Sequence, residues 1–229
     1  MSTQLTEIAF ILDRSGSMKK QLGATISGFN HFLSDQRETP GLARFTLVLF
    51  DDCYEVPYAS IPINEVVDLD RRSFVPRGTT ALLDAVARTI DELRARLMVR
   101  PESQRPGQVI VAILTDGLEN ASQHFTHREV SERIAHQRDV CQWQFFFLGA
   151  NQDAIATAAA MNIHSHAAMN FAADDDGLHV SSRSISRKMT SLRKQAAGES
   201  LSIAEEQDLK SSLSDIGREE EKGMSDGEA

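Results

Sequence analysis

Short apolar runs alternate with stripes of helical periodicity through roughly the first 170 residues of the chain. The runs at 8–12, 45–50, 109–114 and 143–148 are typical of strands buried on both faces. Between them, apolar residues recur every three or four positions, as at Leu22, Ile26, Phe29 and Leu33, and again at Leu83, Val86, Ile90, Leu93 and Leu97. This alternation predicts an α/β fold, with a doubly wound, mainly parallel central sheet and helices on both faces.

Weaker patterns complete the predicted order of elements. Residues 54–63 contain two prolines, which favours one antiparallel strand at an edge of the sheet. A capping box at Thr126 and Glu129 indicates a helix start, 153–161 is an alanine-rich helix, and a short strand follows at 167–171. The predicted domains are an α/β domain at 1–172, a helical extension at 173–197 and an acidic tail at 198–229, which is mostly disordered, with a helical patch considered around 203–213.

The charge is concentrated near the C-terminus. The chain carries −9, of which −7 falls after residue 195. This distribution excludes the basic surface of a nucleic-acid-binding protein. The longest apolar run is too short to cross a membrane, and the first residues lack the features of a secretory signal. With two cysteines and no CxxC pair, we expect a cytoplasmic protein that binds neither nucleic acid nor membrane.

Oxygen-bearing side chains stand where three of these elements begin or end. Asp13, Ser15 and Ser17 directly follow the first strand, Thr79 and Thr80 precede the second clear helix, and Asp116 follows the strand at 109–114. Because the carboxyl ends of parallel strands share one edge of the sheet, these groups should lie together. Carboxylates and hydroxyls suit hard divalent cations, and the absence of His and Cys from these motifs argues against zinc there.

The ordered set D-R-S-G-S at 13–17, G-T-T at 78–80 and T-D-G at 115–117 resembles the metal-ion-dependent adhesion site of the von Willebrand factor type A domain. The resemblance covers roughly residues 5–172, and F-D-D at 50–52 adds similarity to bacterial and phage members. It implies that Ser15, Ser17 and Thr80 bind the metal through hydroxyls. Asp13 and Asp116 would supply charge, directly or through water.

The resemblance also implies a function. The site would hold Mg²⁺, with Mn²⁺ or Ca²⁺ as alternatives, and would capture an Asp or Glu of a partner protein without catalysis. Intracellular members of the family work beside AAA-type ATPases and beside stress or tellurite-resistance modules. Contacts to the partner would come from loop residues, expected at Arg14, Met18, Lys19, Lys20, Arg77 and 118–123.

Several alternatives stay open at the level of sequence. The same site could serve a metal-assisted hydrolase, with Glu119 as a base rather than as a structural residue at the rim. The chain could instead be a metal-independent structural scaffold. Finally, Glu205 or Glu206 of the acidic tail could occupy the metal site, within one chain or from a neighbouring copy.

Overall fold

The computed structural model of the chain describes residues 2–150 and 154–227. Its strands are β1 (Ser2–Asp13), β2 (Leu42–Phe50), β3 (Tyr54–Pro62), β4 (Pro106–Thr115), β5 (Gln144–Gly149) and β6 (Ala168–Asn170). Its α-helices are α1 (Leu22–Glu38), α2 (Leu82–Met98), α3 (His127–Asp139), α4 (Ala154–Ala160), α5 (Asp175–Ala197), α6 (Ile203–Lys210) and α7 (Leu213–Gly227). Residue 153, the expected start of the alanine-rich helix, lies outside the described residues.

The strands form one sheet in the order β3-β2-β1-β4-β5-β6. All neighbours are parallel except β3, which pairs antiparallel with β2 at the sheet edge. The predicted doubly wound sheet with one antiparallel edge strand is therefore confirmed. The chain leaves β1 toward β2 but later returns to β4 on the other side of β1. The carboxyl ends of β1 and β4 thus flank the switch point, where ligands bind in sheets of this kind.

Helices cover both faces of the sheet, as the two helical stripes predict. Helices α1 and α5 pack against each other on one face, while α2 and α3 pack together on the other. Below α1, an aromatic cluster of Phe10, Phe29, Phe32 and Phe45 joins the helix to β1 and β2, with ring centroids 5.0–6.4 Å apart. Burial of such rings contributes most of the stability of this layer.

Helix α3 begins with the predicted capping box. The Thr126 side chain accepts a hydrogen bond from the Glu129 backbone N–H, and the Glu129 carboxylate accepts one from the Thr126 backbone N–H. These reciprocal bonds satisfy two backbone donors that a helix start otherwise leaves unpaired.

The C-terminal region differs from the sequence expectation. The prediction that residues from 198 onward are mostly disordered is wrong, because α6 and α7 are helical, and both pack against α5. Helix α6 coincides with the helical patch considered around 203–213. Helix α6 starts with a capping box of Ser202 and Glu205, and Leu213 and Ile216 of α7 are fully buried. The proposed domain boundaries at 172 and 197 stay predictions.

Arg187 of α5 holds this C-terminal unit in place. Its guanidinium donates hydrogen bonds to Asp208 at 2.6 and 3.2 Å, to Glu219 at 2.9 Å and to Glu220 at 2.7 Å. Three of the ten acidic residues that suggested a solvated tail therefore face one cation. Asp208 is buried, so its carboxylate depends on this partner.

Within the described part of the chain, none of the helices combines the length and the hydrophobicity needed to cross a membrane.

We predict that Arg187→Ala lowers the free energy of unfolding by about 2 kcal/mol, because it leaves the buried Asp208 carboxylate without its cation. Urea denaturation measures the loss, and hydrogen exchange should show faster exchange in α6 and α7. Arg128→Ala is the matched control: Arg128 pairs with the exposed Glu132 one helical turn away, and its loss should cost no more than about 0.5 kcal/mol. Equal losses in the two variants would contradict this role of Arg187.

Candidate metal site

Asp13 ends β1 with its carboxylate completely buried beside β4. One of its oxygens accepts a hydrogen bond from the Ser15 backbone N–H at 2.6 Å. The other accepts one from the Thr115 hydroxyl, also at 2.6 Å. These two bonds orient the carboxylate toward the switch point and tie the first loop to the end of β4.

The next three oxygen donors form a continuous chain. The Ser15 and Ser17 hydroxyl oxygens are 3.0 Å apart, and the Ser17 hydroxyl donates to an Asp116 carboxylate oxygen at 2.6 Å. Ser15 is buried, Asp116 is half-buried and Ser17 is exposed, so the chain runs from the protein interior to solvent. The first and third sequence motifs therefore meet, although they are a hundred residues apart.

Thr80 approaches the same point from the second motif. Its backbone N–H donates to the Asn120 side chain at 2.9 Å, and its carbonyl accepts the Asn120 backbone N–H at 3.0 Å. A methyl group at Gly117 would lie 2.7 Å from the Thr80 hydroxyl and 3.5 Å from an Asp13 carboxylate oxygen. The missing side chain at Gly117 thus allows Thr80 and Asp13 to converge. Thr79 is exposed, which supports the choice of Thr80.

Backbone hydrogen bonds hold these loops together without using the candidate ligands. The Gly16 N–H donates to the Gly78 carbonyl at 3.2 Å, and the Arg77 N–H donates to the Arg14 carbonyl at 2.8 Å. The Arg14 N–H in turn reaches the Phe50 carbonyl at the end of β2, also at 2.8 Å. The positions of the hydroxyls are therefore set by main-chain contacts.

Arginine side chains next to the site face away from it. Arg14 donates to Asp51 at 3.1 Å and to Glu55 at 2.7 Å, while Arg77 donates to Asp51 at 2.8 Å. Arg14 is 4% exposed and Met18 is completely buried, so the expectation that both contact a partner is wrong. They support the loops instead.

The electrostatics of the two aspartates fit a cation site. Burial raises the pKa of Asp13 to about 6, and the neighbouring Asp116 charge adds to the shift. Burial also raises the pKa of Asp116. In the described parts of the chain, neither carboxylate pairs with a lysine or an arginine. Five converging oxygen donors with two uncompensated carboxylates match the ligand chemistry of Mg²⁺ or Mn²⁺.

A second acidic group lies nearby but is already neutralised. Ligand atoms of Asp51, Asp52 and Cys53 lie within 4.8 Å of one another. Asp51, however, is completely buried between the guanidinium groups of Arg14 and Arg77, and it also accepts the Cys53 backbone N–H. Its charge is satisfied by protein groups, so this group is a poor candidate for holding a cation.

Glu119 has a structural role in the described geometry. Its carboxylate accepts hydrogen bonds from the backbone N–H groups of Leu83, Ala121 and Ser122, and from the Ser122 hydroxyl. It therefore joins the start of α2 to the loop after β4. Both of its carboxylate oxygens are thus engaged by donors of the protein itself.

The C-terminal glutamate considered as a ligand in the same chain is engaged elsewhere. Glu205 forms an ion pair with Lys194 at 2.5 Å and accepts the Ser202 backbone N–H at 2.8 Å. These contacts place it near the end of α5, and they lower the pKa of Glu205 to about 2. In this structure, Glu205 therefore does not occupy the metal site of its own chain.

No protein-family model and no curated protein matches the sequence. Solved structures do match. Proximal thread matrix protein 1 from the mussel byssus is 18% identical with a TM-score of 0.57, over 81% of this chain and 46% of that one. The pilus adhesin SpaC from Lactobacillus rhamnosus GG is 12% identical with a TM-score of 0.60, over 84% and 31%. A von Willebrand factor type A protein from Catenulispora acidiphila is 16% identical with a TM-score of 0.51, over 81% and 43%.

These similarities establish the fold class. The chain has the von Willebrand factor type A fold, as the resemblance of its motifs implied. The chain spans less than half the length of these three matched proteins. One structure of the mussel protein is described as having a zinc-occupied metal-ion-dependent adhesion site.

The sequence named all five candidate ligands, and the structure brings Asp13, Ser15, Ser17, Thr80 and Asp116 to one edge of the sheet. Their binding of a metal stays a prediction. Sequence reasoning missed the residues that position them: Thr115, Asn120 and Gly117, together with the Arg14–Asp51 pair. Thr115 and Gly117 belong to a quoted motif, but their contacts depend on which strand is the neighbour of β1.

We predict that Asp13→Asn stabilises the metal-free protein at pH 7.5 by up to about 3 kcal/mol, because the folded state raises the pKa of this carboxyl from 3.8 to about 6. Because the pKa of Asp13 is higher in the folded than in the unfolded protein, ionisation of this carboxyl destabilises the fold. The effect is absent below pH 3.8 and complete above about pH 6. Urea denaturation in EDTA should therefore show the gain at pH 7.5 and little difference at pH 4. The exposed Asp52→Asn is the control. A destabilised Asp13→Asn at pH 7.5 would refute this account.

Proposed function

We propose that the chain is a non-catalytic protein-binding module that captures an acidic residue of a partner through a divalent cation held by Asp13, Ser15, Ser17, Thr80 and Asp116. The observation that carries this proposal is the convergence of these five oxygen donors at the switch point of the sheet. Mg²⁺ is the cation that we propose, with Mn²⁺ and Ca²⁺ as alternatives that the same oxygen set accommodates.

The charge of the donor set explains why an external carboxylate would be attracted. Three of the five donors are neutral hydroxyls, so the protein contributes only the charges of Asp13 and Asp116. When bound, the cation supplies a Lewis-acidic centre with affinity for a further anion. Ser17 is exposed and Asp116 is half-buried, so a side chain from outside can reach this side of the site.

Two further observations support this function. The metal-occupied adhesion site of the mussel protein shows that a similar fold holds a divalent cation in that protein. The engagement of Glu119 in four hydrogen bonds leaves the site without its sequence-predicted base, which favours binding over hydrolysis. We propose a cytoplasmic partner such as an AAA-type ATPase or a stress or tellurite-resistance module, as the family resemblance suggests.

Addition of Mg²⁺ or Mn²⁺ should raise the melting temperature of the wild-type protein, because a ligand that binds only the folded state stabilises it. At a hundred times the dissociation constant the gain is about 2.7 kcal/mol. Asp116→Ala should abolish the metal-dependent shift, whereas Asp52→Ala, in the neighbouring acidic group, should retain it. Differential scanning calorimetry with and without EDTA measures the effect. An unchanged shift in Asp116→Ala would place the cation elsewhere.

Gly117→Ala should weaken metal binding at least tenfold, because its methyl group would collide with the Thr80 hydroxyl. Titration calorimetry with Mn²⁺ provides the measurement. Gly23→Ala is the matched control, since a methyl group there meets no atom within 4 Å. Equal affinities in both variants would show that the Thr80 position does not matter for the cation.

The partner itself can be identified by affinity capture from a native lysate. Wild-type protein with Mg²⁺, wild-type protein with EDTA and the Asp116→Ala variant are compared by mass spectrometry. A partner retained only in the first sample is expected, and mutation of its acidic residues should release it. A partner retained equally in all three samples would show that the metal site is not the interface.

A further inference from the structure

A groove of about 610 Å³ lies at the end of the sheet opposite the candidate metal site. It runs between the C-terminal ends of α2 and α3 and the start of β4. Its floor contains Leu97, Val109 and Trp143, which are largely buried. Its volume is in the range of sites that accept ligands or the anchoring side chains of a partner.

The rim of this groove exposes apolar side chains to solvent. Met98 is 59% exposed and Val140 is 68% exposed, and the adjacent Val99 is 83% exposed. Single exposed apolar residues are common on protein surfaces, but here three of them surround an apolar depression. Such a grouping indicates an interaction surface.

The polar lining of the groove defines the chemistry of its occupant. Arg94, Arg105 and His136 line it, and no Asp or Glu is among the described lining residues. The Arg105 guanidinium donates only to backbone carbonyls, at 3.1 and 3.2 Å. Gln137 is 3% exposed, and its side-chain oxygen has no hydrogen-bond partner in the described part of the chain. The groove therefore offers positive charge and one unpaired buried acceptor.

We propose that this groove is a docking site for an acidic amphipathic segment of a partner protein. Apolar side chains of the segment cover Leu97, Val109 and Trp143, while its carboxylates face Arg94 and Arg105. Charge complementarity selects this occupant, because a basic segment would place cations against the arginines.

The groove and the metal site can be occupied together. They lie at opposite ends of β4, whose ten residues span about 33 Å. A partner held at one end therefore does not cover the other. The domain would connect two acidic partners or two segments of one partner, one through a metal and one through an apolar anchor.

The test is a selection from a displayed library of random peptides about 16 residues long, performed on the full chain in EDTA. EDTA removes any metal-dependent binding, so the selection tests the groove alone. A failure to select peptides would therefore not count against the proposed metal function. Peptides that also bind Val140→Glu are removed. A selected peptide without tryptophan is then titrated, and the fluorescence of Trp143, the only tryptophan of the chain, reports occupation of the groove.

We expect enriched peptides that carry a net negative charge and at least two large apolar residues. Arg94→Glu, a variant that plays no part in the selection, should weaken binding at least tenfold. Val67→Glu, which replaces a valine 65% exposed elsewhere, and Arg71→Glu should stay within about twofold of wild type. Asp116→Ala should bind normally. Met98→Glu, judged by the same titration, replaces Val140→Glu if circular dichroism shows that the latter is unfolded.

Three outcomes would overturn the proposal. The first is that the selection enriches no peptide whose binding depends on the groove. The second is that the enriched peptides are basic. The third is a wild-type dimer in sedimentation that Val140→Glu dissociates, because the groove would then be covered by a second copy of this chain.

Discussion

The candidate site depends on the buried carboxylate of Asp13, which ties the loop after β1 to the end of β4. It lies where β1 and β4 separate, and it is held by the Ser15 backbone and the Thr115 hydroxyl. Those two bonds orient it but do not neutralise it, and burial raises its pKa to about 6. A fold that keeps a carboxylate in such a position is less stable than one without it, unless a cation is bound.

In the neighbouring loops, a buried carboxylate is neutralised by arginine side chains. Asp51 is also completely buried, yet Arg14 and Arg77 pair with it, and this network joins the ends of β1 and β2 to the loop before α2. Two acidic positions in adjacent loops therefore have opposite roles. Asp51 acts as a structural counter-ion within the protein, whereas Asp13 and Asp116 pair with no lysine or arginine among the described residues.

The C-terminal helices illustrate why composition alone misjudged a region. Residues from 198 onward are rich in Ser, Glu and Asp, which is typical of a disordered segment. Three of their carboxylates nevertheless converge on Arg187, and Leu213 and Ile216 are fully buried. The first half of α5, which the sequence predicted only as part of the helical extension at 173–197, lacks a large apolar stripe for a related reason. Its serines are buried where Ser182 approaches Gly28 of α1, so small residues replace the large apolar stripe that signals a helix.

The sequence by itself determined the order of strands and helices, the doubly wound sheet and the five candidate oxygen ligands, because hydrophobic period and motif order are local properties of the chain. Tertiary structure decided the side-chain contacts between residues that are far apart in the sequence. Arg14 faces Asp51 rather than a partner, Glu119 serves the start of α2, and Gly117 admits the Thr80 hydroxyl beside Asp13. The residues in each of these contacts are at least 36 positions apart in the sequence. No local pattern encodes which side chains meet when the strands pair.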